Sequence, residues 1–157
     1  MDATRIPWMF KTADCRISLN EVGQMTFPDE AATESLWNRY ISADYGHLIP
    51  YFMSTGYKNI FNTAEYGAVN LAAKGNENHF NYRKGITVLR KELSACDMVL
   101  FFWSASLSCF TPVELFVKAW DDFFYPGDES SVGIILNTER CFYLGGTTLR
   151  FTRWKKL

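Results

Sequence analysis

Asp97-Met98-Val99-Leu100-Phe101-Phe102-Trp103-Ser104 is the stretch on which the fold turns. Its six consecutive apolar residues are far short of the ~20 that span a bilayer, and of ordinary length for a strand. Odd and even positions are both apolar. Such a strand has to be covered on both faces, so it belongs inside a sheet.

The sequence after it reads strand, helix, then meander. Thr111-Pro112-Val113-Glu114 has the form of a helix start: Thr111 as cap, Pro112 at the first helical position, Glu114 closing a capping box. The spacing of Val113, Phe116, Val117 and Trp120 predicts a buried stripe on a helix running to about Phe124, with Glu114 and Lys118 paired outside. Tyr125-Pro126-Gly127-Asp128-Glu129-Ser130 reads as a turn. Three strands are expected next, over Ser131–Leu136, Arg140–Leu144 and Thr147–Arg153. Asn137-Thr138-Glu139 and Gly145-Gly146 link them.

Upstream, Arg83 to Ala95 predicts a helix with Ile86, Leu89 and Leu93 inward and Lys84, Arg90 and Lys91 on the wet side. Asp29 to Ser42 predicts another: acids fill its first half, and Ala32, Leu36, Trp37, Tyr40 and Ile41 form its apolar stripe. Leu19, Val22 and Met25 suggest a short helical turn within Ile17–Thr26. Arg5–Lys11 reads as a short edge strand because Pro7 confines it to an edge. From His47 to Asn81 the pattern is weak, punctuated by Pro50, Gly56, Gly67 and Gly75 and rich in Asn. Loops with short helical or strand pieces are expected there, in a region suited to binding. The expected fold is α+β: one globular domain over residues 1–157, a mostly antiparallel sheet ending in a meander, and helices packed on one face.

Composition narrows the function. The 157 residues are 48% hydrophobic, 21% charged and 17% aromatic, which excludes a disordered, collagenous or coiled-coil chain. Sixteen basic against 17 acidic residues argue against general nucleic-acid binding, though not against a local patch. The start, Met1-Asp2-Ala3-Thr4-Arg5-Ile6-Pro7, has no apolar core of a signal peptide. A cytoplasmic protein without membrane attachment is expected, with its four cysteines as free thiols.

The motif search removes common chemistries. No phosphate-cradling glycine loop, nucleophile elbow, zincin or EF-hand pattern is present. Cys15, Cys96, Cys109 and Cys141 show no C-x₂-C spacing, and His47 and His79 stand apart, so neither a metal nor a cofactor is expected. A Cys–His nucleophile could be built only from Cys96 or Cys109 with His47 or His79. Buried structural thiols are the plainer reading.

Charge is patchy. Ile17 to Asn38 carries Glu21, Asp29, Glu30 and Glu34 and no base; Asp121 to Ser130 carries Asp121, Asp122, Asp128 and Glu129 and no base. Bases collect in Lys74–Lys91 and Arg150–Lys156. Acids at the end of the expected helix oppose its dipole, so something other than helix stability should hold Asp121 and Asp122 there. Acidic patches beside aromatic anchors suit a basic protein partner.

Trp8-Met9-Phe10, Leu36-Trp37-Asn38-Arg39-Tyr40-Ile41-Ser42 and the run Ala119–Ser130 before a β meander resemble small bacterial immunity proteins of the contact-dependent growth-inhibition type. The resemblance implies a non-enzymatic cytoplasmic protein, monomeric until it binds a cognate toxin domain and occludes its active site. Many such toxins are nucleases with basic clefts. The expected contacts are Asp121, Asp122, Asp128 and Glu129 with Tyr125 as anchor, and Glu30 and Glu34 as a second face. The alternative is a small-molecule-binding regulatory module that uses the aromatic, Asn-rich middle as its pocket.

Overall fold

The computed structural model describes residues 5–41, 63–124 and 131–154. Its strands are β1 (Thr63–Asn70), β2 (Ala72–Ala73), β3 (Asn76–Phe80), β4 (Met98–Ser104), β5 (Leu107–Pro112), β6 (Val132–Ile135), β7 (Arg140–Gly145) and β8 (Thr148–Trp154). Its helices are α1 (Leu19–Val22), α2 (Glu30–Tyr40), α3 (Tyr82–Glu92), α4 (Val113–Lys118) and α5 (Trp120–Phe123). Six strands form an antiparallel sheet in the order β1-β8-β7-β6-β4-β5, and β2 and β3 form a separate hairpin. The fold is α+β with a C-terminal meander, as the sequence indicates.

β4 lies between β5 and β6. Its alternating side chains serve two cores. Val99, Phe101 and Trp103 enter one cluster with Phe10, Leu89, Phe116 and Phe123, while Leu100 and Phe102 enter another with Trp37, Ile134 and Tyr143. Helices α1, α3, α4 and α5 share the first face, as expected. The exception is α2, which covers the second: Trp37 packs edge-on against Phe102, with centroids 5.4 Å apart. The continuous apolarity of β4 requires that second cover.

Several local expectations need correction. Trp8–Lys11 is a 3-10 turn after Pro7, not an edge strand. Thr111 does not cap a helix: it continues β5 opposite Val99, and Pro112 at the N-cap makes no side-chain cap bond. The helix expected to reach Phe124 breaks at Ala119 (φ −121°, ψ 26°) into α4 and α5. Lys118 reaches Glu21, at 2.8 Å, instead of Glu114. On α2 the expected stripe holds at Leu36, Trp37, Tyr40 and Ile41, but Thr33 is buried in place of Ala32, which is exposed. The largest addition is β1, an eight-residue strand on β8 within the stretch expected to be mostly loop.

Candidate functional site

The break at Ala119 sets the orientation of the first acidic pair. Trp120 is fully buried, and its Nε1–H donates to the Tyr82 carbonyl at 3.0 Å. Phe123 packs among Phe10, Phe101 and Phe116. Between these anchors, Asp121 and Asp122 meet the segment that precedes α1. They stand in the first turn of α5, where a helix dipole favours acids, and not at the end of a longer helix.

Both carboxylates are already engaged. Asp121 accepts from Arg16 Nε at 3.1 Å and from its terminal nitrogen at 3.2 Å, a fork-on-fork pair. Asp122 accepts the Arg16 backbone N–H at 2.9 Å and the Cys15 thiol at 3.7 Å. The Arg16 guanidinium also lies 3.5 Å from the Tyr82 ring centroid, in cation–π contact. The Asp121 hydrogen bond raises the Arg16 pKa further. Burial pushes the Asp122 carboxyl up, the Arg16 N–H pulls it down, and the neighbouring Asp121 charge adds to the rise. Next to them Lys118 holds Glu21, whose pKa is lowered chiefly by that contact. The pair therefore tethers Cys15 and Arg16 to α5, and Lys118 tethers Glu21 to α4, beside a cleft of about 600 Å³ lined in part by Phe10, Lys11, Arg16 and Leu19.

Asp122→Asn tests that account. An amide oxygen can still accept the Arg16 N–H, while the partly buried charge and its repulsion with Asp121 disappear. The variant is expected to match or exceed the wild type at pH 7, by less than about 1 kcal/mol at a half-buried site still screened by solvent. Because the folded pKa is raised, the wild type's deficit should shrink as the pH falls through it and Asp122 takes up a proton. Thermal melts at pH 7 and pH 4 check the sign; a clear loss at pH 7 would show that the charge itself is needed.

The second acidic face differs. Asp29 caps α2, its side chain accepting from the Ala32 N–H at 2.8 Å. Glu30 and Glu34 are exposed one turn apart, and neither takes part in an ion pair among the described residues. Trp37 below and the Thr33–Ser108 hydroxyl pair, 2.9 Å apart and buried, fix the helix. The dipole favours Glu30 in the first turn, whereas the like-charge spacing of Glu30 and Glu34 at i and i+4 is mildly unfavourable. The two acidic faces do not form one surface, since α2 and α5 lie on opposite sides of the sheet. Tyr125, Asp128 and Glu129 lie outside the described residues, as does His47.

No protein-family model matches this chain, and no curated protein or solved structure resembles it closely enough to count as a match. Function has to be argued from the side chains.

The thiols offer little nucleophilic character. Burial pushes Cys109 well above its ordinary value and Cys141 up to about 12. Cys141 shares a buried contact of 2.9 Å with the Thr152 hydroxyl. Cys15 and Cys96 are also raised, by burial first. All four stay protonated at neutral pH, and the thiolate is the reactive form. Among the described residues, no three His, Cys, Asp or Glu side chains group as metal ligands. No helix among them is long and apolar enough to cross a membrane. The described part of the Asn-rich middle is β1 and the β2–β3 hairpin, with Glu65 paired to Arg150 at 3.0 Å.

Sequence reasoning missed the partners of Asp121 and Asp122. Arg16 stands just before the base-free run from Ile17 to Asn38, the one hint that it serves a distant acid.

Proposed function

We propose that this chain is an immunity protein that binds a cognate bacterial toxin domain and blocks its active site or its access to substrate. The observation that carries the reading is the outer face of α2. Glu30 and Glu34 are exposed there without an ion pair among the described residues, on a helix held by a buried Trp and a buried hydroxyl pair. Such a preformed acidic surface can enter a basic cleft with little ordering cost. It can also steer the encounter. Glu30 and Glu34 are the leading contacts. Asp121, Asp122, Tyr125, Asp128 and Glu129 form the second candidate face, its first two acids shared with Arg16.

The test is co-expression with the C-terminal domain of any large exported protein that the neighbouring upstream gene encodes. A one-to-one complex and rescued growth are expected. The charge reversal Glu30→Lys with Glu34→Lys should weaken the complex by at least about 2 kcal/mol, roughly 30-fold, and abolish rescue. Folding should change by less than about 1 kcal/mol, since both sites are exposed. Wild-type affinity in the double variant would move the interface off α2, and absence of any complex would remove the reading.

A further inference from the structure

The strongest charged feature outside these acids lies on α3. Arg83, Lys84, Arg90 and Lys91 are exposed, and none forms an ion pair among the described residues. With Thr87 they fall within about 120° of arc at 3.6 residues per turn. The residues Arg83 and Arg90, like Lys84 and Lys91, stand seven apart, about 10.5 Å along the axis. The acid of this helix, Glu92, belongs to another contact, with Arg140 at 3.6 Å.

Helix stability accounts for Arg90 and Lys91, which sit in the last turn, but not for the other half of the strip. Arg83 and Lys84 sit in the first turn, where the dipole disfavours cations and no acid offsets them. The inner face is firmly fixed by Leu89 and Leu93, both fully buried, so the strip is held rigidly.

We infer that this face of α3 is a docking strip for the phosphate backbone of a nucleic-acid duplex. Two features favour that occupant. A protein partner normally needs an apolar anchor at the centre of the contact. The side chains between these cations supply only Thr87, whose hydroxyl is returned to the Arg83 carbonyl. Single-stranded binding needs rings on which bases stack. The nearby ring of Tyr82 is turned beneath Arg16, and Phe80 packs on Trp120. What remains is cation-to-phosphate contact, driven by counterion release. The near-neutral composition argues against a wholly basic domain; this strip is local, and it lies across the sheet from α2, so it does not rest on the toxin reading.

The experiment is anisotropy titration of the full chain against labelled 20-bp DNA and RNA duplexes of one sequence, the matching single strand, and polyglutamate of similar length. Four phosphate contacts predict a log–log salt slope of about −3.6, or about 150-fold weaker binding at about 200 mM than at about 50 mM salt. Replacing all four cations (Arg83→Gln, Lys84→Gln, Arg90→Gln, Lys91→Gln) keeps good helix formers and should cost at least tenfold. If that variant does not fold, Arg90→Gln with Lys91→Gln should flatten the slope by about 2. Binding to either duplex with these dependences supports the inference. Absence of duplex binding at about 50 mM salt would overturn it, as would affinity unchanged by the substitutions. Tighter binding of the single strand or of polyglutamate would also overturn it.

Discussion

Gly85→Ala is expected to destabilise the fold by about 2 kcal/mol, although alanine is the better helix former. In an open helix the exchange would gain about 1 kcal/mol. Here a Cβ would overlap Cε2 and Cζ2 of Trp120, far inside van der Waals contact. That ring cannot retreat. It is fully buried, and its N–H is committed to the Tyr82 carbonyl. Relief requires α3 to lift from α5 or the indole to leave its partner, and overpacking of this kind costs about 1–3 kcal/mol before the lost hydrogen bond adds roughly 1 more. Urea unfolding with Thr87→Ala as control separates the effects. Thr87 is exposed on the same helix, and alanine there should be neutral or stabilising. A stabilised Gly85→Ala would show that α3 and α5 are not in this close contact. The clash also bears on the charged strip, because Gly85 brings α3 against α5 and leaves the arginines and lysines outward.

The sequence speaks clearly where one local rule suffices. β4 is legible from its own residues: an unbroken apolar run has one stable location. The last three strands are legible because their turn chemistry is local, and Asn137 and Gly146 do take the positive φ values, 63° and 62°, that those turns use. α2 is legible from its acids and stripe, and Asp29 caps it. Legibility fails where a distant partner decides. β1 has Gly67 at its bulge and Asn70 at its end, and its pairing with β8 spans more than half the chain. Thr111 is a good helix cap in isolation, yet it is held in the ladder opposite Val99. The segment after Pro112 reads as one helix, yet it breaks at Ala119 so that Trp120 can reach Tyr82. The anomaly of the acids at 121 and 122 was visible; its resolution, Arg16 at 105 positions' distance, was not.

Phe101→Ala should cost about 4 kcal/mol, the largest loss expected from a single truncation here. Burial alone places a Phe→Ala change in the range of about 3–5 kcal/mol. Phe101 has more to lose than most: its ring centroid lies 5.1 Å from Trp103, 5.7 Å from Phe116, 5.2 Å from Phe123 and 5.1 Å from Phe124, mostly edge to face. These rings come from β4, α4, α5 and the residue after α5. A void at Phe101 therefore loosens two helices. A domain of this kind is stable by only about 5–15 kcal/mol, so the variant should remain folded at low temperature with its denaturation midpoint sharply reduced. Phe102→Ala makes the informative comparison. Phe102, the next residue in the chain, faces the other core, against Trp37 on α2. If the two faces serve different contacts, Phe101→Ala, assayed below its melting point, should disturb the Arg16–Asp121 tether and spare the Glu30–Glu34 surface. Phe102→Ala should reverse that pattern. Equal weakening of a toxin complex by both would mean that the acidic faces act together through the sheet. A loss below about 2 kcal/mol for Phe101→Ala would show that the aromatic cluster does not hold α4 and α5 in place.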